Sequence, residues 1–224
     1  MKHYDSIPRI QDDGTLQGET VWGYNKLDGQ NFCATYNVKK DKWGPFGSRT
    51  VTVDERSEQF GNTVKYFFNK GYEDILAIKV IQNRGKGEVF NGVEEVTFFF
   101  EWYGDNSFAG KHEEGDEMHL ALIDVFLKKK GYIEPKEYEK IFRTFIEMPE
   151  LIYTGLLNAD IISKIQNNDW TKEGCELPTV KEGVVFKRST LMKGQRRPSV
   201  KVKTKWWLEK LHSIYTEEEC KKLE

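Results

Sequence analysis

Long apolar runs are missing from this sequence of 224 residues, and those present are far too short to cross a bilayer. The opening stretch, Met1 to Pro8, holds no apolar core of signal-peptide length. Cysteine is scarce. Cys33, Cys175 and Cys220 are odd in number and far apart, so they supply neither a disulfide framework nor paired metal-ligand spacing. A reducing, cytoplasmic setting without membrane association is the expectation. No sign of charge dominates either: the formal net charge is −2, so any nucleic-acid surface must be local. A phosphate loop is also lacking, because Gly85-Lys86-Gly87 has neither the spaced glycines nor the Lys-Ser/Thr pair and reads as a turn.

What is present is 38% hydrophobic and 31% charged residues, a globular composition long enough for one large domain or two small ones. With no internal repeat and no long linker, the reading is one α+β domain over residues 1–224, rich in antiparallel sheet. Residues 1–20 carry little periodicity. Alternation and β-propensity predict strands at Val21–Tyr24, Asn31–Val38, Thr50–Asp54, Ile75–Gln82, Val96–Gly104, His119–Leu127, Gly183–Phe186 and Val200–Lys205. Lys39–Gly47, with Gly44-Pro45, reads as a loop. A helix is predicted after Ser57 as N-cap, with Phe60, Val64, Phe67 and Phe68 at helical spacing and Gly71 as its stop. Another starts at Pro135, with Tyr138, Ile141, Phe142 and Phe145 as its buried stripe. Asn158 caps a third that carries Ile161, Ile162 and Ile165. Trp206, Trp207, Leu208 and Leu211 open a C-terminal helix, and Thr216 with Glu219 forms a capping box for a short final one.

Chemistry concentrates around Tyr24-Asn25-Lys26-Leu27-Asp28-Gly29-Gln30-Asn31-Phe32. The Lys26 amine is a candidate nucleophile for phosphorus, and Gly29, lacking a Cβ, would let a nucleotide approach the backbone. With a reference pKa near 10.4, only about one in a thousand free lysines is neutral at physiological pH, so nearby cations or a metal must raise that fraction. Taken alone, Asp28-Gly29 reads equally as a hairpin turn between the flanking strands. Glu101 closes a triple-phenylalanine run, either as an exposed strand end or as an acceptor for a ribose hydroxyl. Glu182 stands at a strand's entrance beside Gly183, either in an ordinary polar turn or as an oxygen ligand for a hard divalent cation on phosphate. Val200-Lys201-Val202-Lys203-Thr204-Lys205 alternates, so period two puts its lysines on one face that meets solvent or phosphate.

The order of these features is more specific than any one of them. Lys26-Leu27-Asp28-Gly29 is followed by Arg49 in Gly-Ser-Arg-Thr, Glu101 in Phe-Phe-Glu-Trp-Tyr-Gly, and the strand Leu122-Ile123-Asp124-Val125. Glu182-Gly183-Val184-Val185-Phe186-Lys187 and Lys201-Val202-Lys203 complete the series. It resembles the motif set of the covalent nucleotidyltransferase superfamily, the ATP-dependent ligases and mRNA capping enzymes, over nearly the whole chain. Lys26 to Phe32, Asn106-Ser107-Phe108-Ala109-Gly110, and Lys201-Val202-Lys203-Thr204 with Trp206 look most like RNA ligases. DNA ligases and capping enzymes normally continue into an OB-fold, whereas about 20 residues follow Lys203 here, too few for such a barrel. The implied fold is an antiparallel-sheet-rich α+β nucleotidyltransferase domain, ATP-grasp-like, with no OB-fold. A partner protein is then a candidate source of substrate specificity.

The resemblance implies roles. Lys26 would attack the α-phosphorus of ATP, releasing pyrophosphate and leaving lysyl-AMP. Arg49 would hold the nucleotide or the RNA 5′-phosphate, and Glu101 the ribose. Glu182 would help place Mg2+ or Mn2+, while Lys201 and Lys203 neutralise charge on the α-phosphate. Asp28 would orient the site, and Asn25, Ile123 and Lys187 join the nucleotide-binding set. AMP then passes to an RNA 5′-phosphate and a 3′-hydroxyl displaces it. The family usually has an aromatic residue where this chain has Ile123; an aliphatic side chain lacks the stacking contribution, commonly about 1 kcal/mol or somewhat more per base. Transfer of AMP to a DNA end, and a nucleotide- or RNA-binding module without turnover, are the alternative readings. The basic segment Lys187–Lys205 is the candidate RNA surface. Neutralising Arg196 and Arg197 should weaken RNA binding and flatten its salt dependence, and an unchanged slope in a salt titration would exclude that contact.

Overall fold

Alternation between apolar and polar residues builds two antiparallel sheets whose polar faces line a shared cavity. In the computed structural model, which describes residues 2–57, 60–167, 180–190 and 198–223, the first sheet has four strands. These are β1 (Thr20–Asn25), β8 (Leu151–Leu156), β9 (Gly183–Arg188) and β10 (Ser199–Lys203), in the order β10-β9-β1-β8. The second sheet holds β2 (Gln30–Asn37), β3 (Lys42–Gly47), β4 (Thr52–Val53), β5 (Glu95–Gly104), β6 (Met118–Leu127) and β7 (Gly131–Tyr132). Its order is β4-β3-β2-β5-β6-β7. Helices α1 (Gly61–Asn69), α2 (Tyr72–Gln82) and α3 (Pro135–Phe142) supply residues to the core of the larger sheet, where Phe67, Leu76 and Phe142 join Phe32, Phe98 and Phe100. Helix α4 (Ala159–Asn167) brings Ile161, Ile162 and Ile165 to Val184, Phe186, Val200 and Val202 of the smaller one. Helices α5 (Lys205–Ile214) and α6 (Glu217–Leu223) follow β10. Among the described residues no helix is long and apolar enough to cross a membrane.

The expected α+β, antiparallel-rich architecture is what the chain adopts, with several local corrections. Tyr72–Gln82 is helix, although Ile75–Gln82 reads as strand. Its β-branched residues raise the strand signal, but Tyr72, Leu76 and Val80 fall at i, i+4 and i+8 and are the ones buried, while Ile78 and Ile81 are exposed. Lys42–Gly47 is a strand rather than a loop: the β2–β3 register shifts between Ala34 and Tyr36, so the Gly44-Pro45 pair sits in a bulge. Ser57 does not cap α1, which begins at Gly61; its hydroxyl accepts from Asp54 N instead. Phe145 lies beyond the end of α3 and is half exposed, with Ile146 taking the buried place. Asn158 does cap α4, its Oδ1 accepting from Ile161 N at 3.0 Å, and the Thr216–Glu219 box caps the start of α6. Cys33 and Cys220 are buried cysteines in separate clusters, and Cys175 lies outside the described residues.

Asp28-Gly29 does not turn a hairpin, because β1 and β2 belong to different sheets. Gly29 is required for another reason: a Cβ there would lie 2.4 Å from Trp102 O and 2.8 Å from Tyr103 Cβ, so the loop is pressed against β5. Gly183 plays the same part for β10, with a φ of +153° and a virtual Cβ only 2.0 Å from Val202 O. In both places it is a neighbouring strand that uses the missing side chain. Gly183→Ala should therefore destabilise the fold by about 1–3 kcal/mol or more, whereas Gly14→Ala, with open space around it, should change little. Chemical denaturation of the two variants checks this; equal midpoints would contradict it.

Candidate active site

A cavity of about 580 Å³ is lined from both sheets, and every predicted site residue borders it: Asn25, Lys26, Asp28, Arg49, Glu101, Ile123, Glu182, Lys187, Lys201 and Lys203. Backbone pairing fixes the nucleophile candidate. Asn25 N donates to Glu150 O at 2.8 Å and Lys26 N to Gly183 O at 2.9 Å, stapling the end of β1 between its neighbours. Lys26 Nζ then reaches Glu182 Oε2 at 2.8 Å, and the other oxygen of the same carboxylate lies 3.1 Å from Lys203 Nζ. The Glu182 and Lys203 side chains are almost wholly buried, at 4% and 3% exposure. On β10, Val200 and Val202 point into the core while Lys201 and Lys203 face the cavity. Lys205 belongs to α5, so the expected stripe shortens to two lysines.

The other residues take distinct positions. Asp28 accepts three uncharged N–H donors, from Ala109 N, Gly110 N and Trp207 Nε1, each at 2.8 Å. It holds a loop and a helix rather than a cation. Glu101 enters from β5 between the core residues Phe100 and Trp102. Ile123 is the extra residue of a bulge, since Phe99 pairs with Asp124 and Phe100 with Leu122. That bulge aims its side chain at the cavity and its carbonyl at Lys187 Nζ. Lys187 is also paired with buried Asp124 at 3.2 Å, and its ammonium lies 5.1 and 5.3 Å from the ring centres of Tyr24 and Tyr138. Arg49 is exposed at the rim, where His3 Nδ1 donates to the adjacent Ser48 O. Arg196 and Arg197 lie outside the described residues.

Some of the wall had no signal in the sequence. Tyr4, Ser6 and Ile7 border the cavity, although residues 1–20 read as aperiodic. The segment is held by backbone pairing to β10, Lys201 N to Pro8 O and Ile10 N to Lys201 O, and by the Tyr4 hydroxyl on Asp124. Trp207 and Leu223 are equally unforeseen: the indole lies under Lys203 Nζ at 3.5 Å, and Leu223 O accepts from that same ammonium.

Electrostatics follow from this crowding. Burial alone would lower the Lys26 pKa, but Glu182 and Glu101 outweigh it and hold the ammonium above the ordinary lysine range. Burial, reinforced by neighbouring lysines, pulls Lys201 down to about 8; burial does the same to Lys203, partly opposed by Glu182. Burial pushes Glu101 up to about 7, with Lys26 opposing and Glu182 adding to the rise. Among the described residues no group of three or more His, Cys, Asp or Glu forms a metal cage. The cavity does offer carboxylate oxygen from Glu182 and Glu101, which suits a Mg2+-like cation held mainly by phosphate oxygens.

The RNA ligase family model matches residues 19–203, which contain all of these predicted site residues. The chain belongs to the RNA ligase family. Its fold is shared with structures of Naegleria gruberi RNA ligase: an apo aspartate-to-alanine variant (16% identity, TM-score 0.63, covering 95% of this chain and 58% of that one) is one. A lysine-to-alanine variant with ATP and Mn is similar at 16% identity and TM-score 0.62, covering 94% and 57%. A lysine-to-methionine variant with AMP and Mn matches at 18% and 0.64, covering 94% and 58%. This family member therefore spans less than three fifths of the length of those relatives. No curated protein matches its sequence.

Glu101 gives a pH-dependent expectation for the protein without nucleotide. A carboxyl whose folded pKa is about 7, against an ordinary 4.5, favours the folded state below 4.5, and this contribution is lost as pH rises through 7. Permanently neutral Glu101→Gln should thus gain Tm relative to the parent at pH 8, with the difference shrinking toward pH 5. A difference that stays constant or grows in acid, measured by calorimetry, would contradict the assignment.

Proposed function

We propose that this protein is an ATP-dependent RNA ligase that works through a covalent lysyl-AMP intermediate. The observation that carries the reading is the Lys26–Glu182–Lys203 array inside the cavity, with Lys201 and Glu101 on its walls. Lys26 Nζ attacks the α-phosphorus of ATP, the bond to the bridging oxygen breaks and pyrophosphate leaves. Before that step the ammonium must lose its proton, because Glu182 and Glu101 keep it charged. Lys201 and Lys203 counter the negative charge that develops on the equatorial oxygens, at positions fixed in advance by β10. Glu101 accepts from the ribose, and Asn25, Ile123 and Lys187 form the nucleotide-binding wall. Arg49, on the rim, holds a phosphate of the nucleotide or of the RNA 5′ end. A divalent cation, Mg2+ or Mn2+, would be held by Glu182 with phosphate oxygens, and when bound it supplies positive charge at the triphosphate. The AMP then moves to an RNA 5′-phosphate, and a 3′-hydroxyl displaces it to close the strand.

Incubation with α-labelled ATP and magnesium should give an acid-labile protein adduct together with stoichiometric pyrophosphate. Lys26→Ala should abolish the adduct while leaving the fold intact by circular dichroism. An adduct that persists in Lys26→Ala, or none from the parent protein, rejects the mechanism. Sealing of nicked RNA and of free 5′-phosphate and 3′-hydroxyl ends, compared with nicked DNA, decides the acceptor.

A further inference from the structure

We propose that Trp207 is a positioning residue for adenylyl transfer, fixing the loop that carries Lys26 and the Lys203 ammonium relative to one another. The inference rests on the lysyl-AMP reading above, and the residue lies outside the span matched by the family model. Trp207 is in the first turn of α5 and is 2% exposed. Its place is set by Thr204, whose hydroxyl accepts from Trp207 N at 3.1 Å and donates to Lys181 O at 2.7 Å. Thr204 N also donates to Glu182 O at 2.9 Å, so the helix start is tied directly to the catalytic carboxylate's backbone.

From that seat the indole makes two contacts of different kinds. Its N–H donates to Asp28 Oδ2 at 2.8 Å, two residues along the chain from Lys26. Its ring face lies 3.5 Å from Lys203 Nζ, an attractive arrangement for a cation. Lys203 holds Glu182, and Glu182 holds Lys26. The contacts therefore close a ring: Lys26 to Asp28 through the chain, then Trp207, Lys203, Glu182 and back to Lys26. The ring fixes the backbone of the Lys26 loop relative to Lys203 through Asp28 and Trp207, and the two ammonium groups relative to each other through Glu182. Filling the apolar cluster of Phe108, Leu211 and Cys220 needs only a large apolar side chain. A buried indole N–H needs an acceptor in any case; that the acceptor is Asp28, in the Lys26 loop, is what ties the start of α5 to the nucleophile's segment.

The test measures single-turnover lysyl-AMP formation at saturating ATP, the ATP concentration for half-maximal rate, and Tm. Trp207→Phe keeps a ring over Lys203 and removes the N–H; benzothienylalanine at position 207 does the same with the indole's shape retained, so that loss of packing is controlled. Both should slow adduct formation about tenfold or more, the scale of one hydrogen bond to a charged group, with half-saturating ATP changed less than about threefold. Asp28→Ala removes the acceptor altogether, so adding Trp207→Phe to it should slow the reaction no further than Asp28→Ala alone. A parental rate in either residue-207 variant, effects that multiply with Asp28→Ala, or a loss confined to ATP affinity overturns the inference. If the parent protein itself forms no adduct, the lysyl-AMP reading falls and this inference with it; parental adduct with unaffected variants overturns this inference alone.

Discussion

Glu182 offers one carboxylate to two ammonium groups, and the cavity depends on that shared anion. Removing a carboxylate or an ammonium from water carries an effective penalty of several kcal/mol per ion, so neither Lys203 nor Glu182 could be buried alone. Together they leave the array with a net positive charge, increased by Lys201 on the same face of β10. The depressed pKa values of both β10 lysines come first from burial, with the neighbouring cations adding to the effect. On the proposed reading, such a site is organised for a polyanion before one arrives and avoids reorienting dipoles at the moment of reaction.

The sheets deliver this arrangement through their period of two. On β9, Val184 and Phe186 join the core under α4, while Val185 and Lys187 face the cavity. On β10 the same alternation separates Val200 and Val202 from Lys201 and Lys203. A slip of one residue in either register would bury lysines among isoleucines and turn valines to the cavity, so the core enforces the arrangement. Gly183 lets the two strands come close enough for Glu182 to reach Lys203. Thr204 then ends β10 and caps the next helix in one residue.

The sequence shows much of this because alternation is a local property and the motifs keep their order along the chain. Lys26, Glu182 and Lys203 are picked out by the series they form, and the strands that carry them follow from their own periodicity. What it hides is set by partners far away in the chain. Tyr4, Ser6 and Ile7 sit in the wall because backbone groups of Pro8 and Ile10 pair with Lys201, a contact with no side-chain signature. The assignment of α2 fails for a related reason: the exposed Ile78 and Ile81 mask a stripe that only packing against the larger sheet reveals. Asp28 and the glycines are recognisable as site residues, but not for what they do. The first anchors the loop at Ala109 and Gly110 as well as Trp207, and Gly29 and Gly183 make room for strands.

The resting array also has a consequence for the order of events. With Glu182 2.8 Å away, Lys26 is stored as an ammonium and is inert toward phosphorus. A triphosphate entering without a counter-cation would add further negative charge and strengthen that protonation. Loss of the proton is favoured by the opposite changes: Glu182 drawn away from Lys26, or positive charge brought closer. On the proposed reading, substrate charge would be met by Lys201 and Lys203, which would loosen the hold of Lys203 on Glu182 and leave that carboxylate able to hold a cation. Weakening the Glu182–Lys26 pair in this way would favour release of the nucleophile. A lysine that was neutral in the empty cavity would gain nothing from this coupling and would be open to reaction with any electrophile that entered.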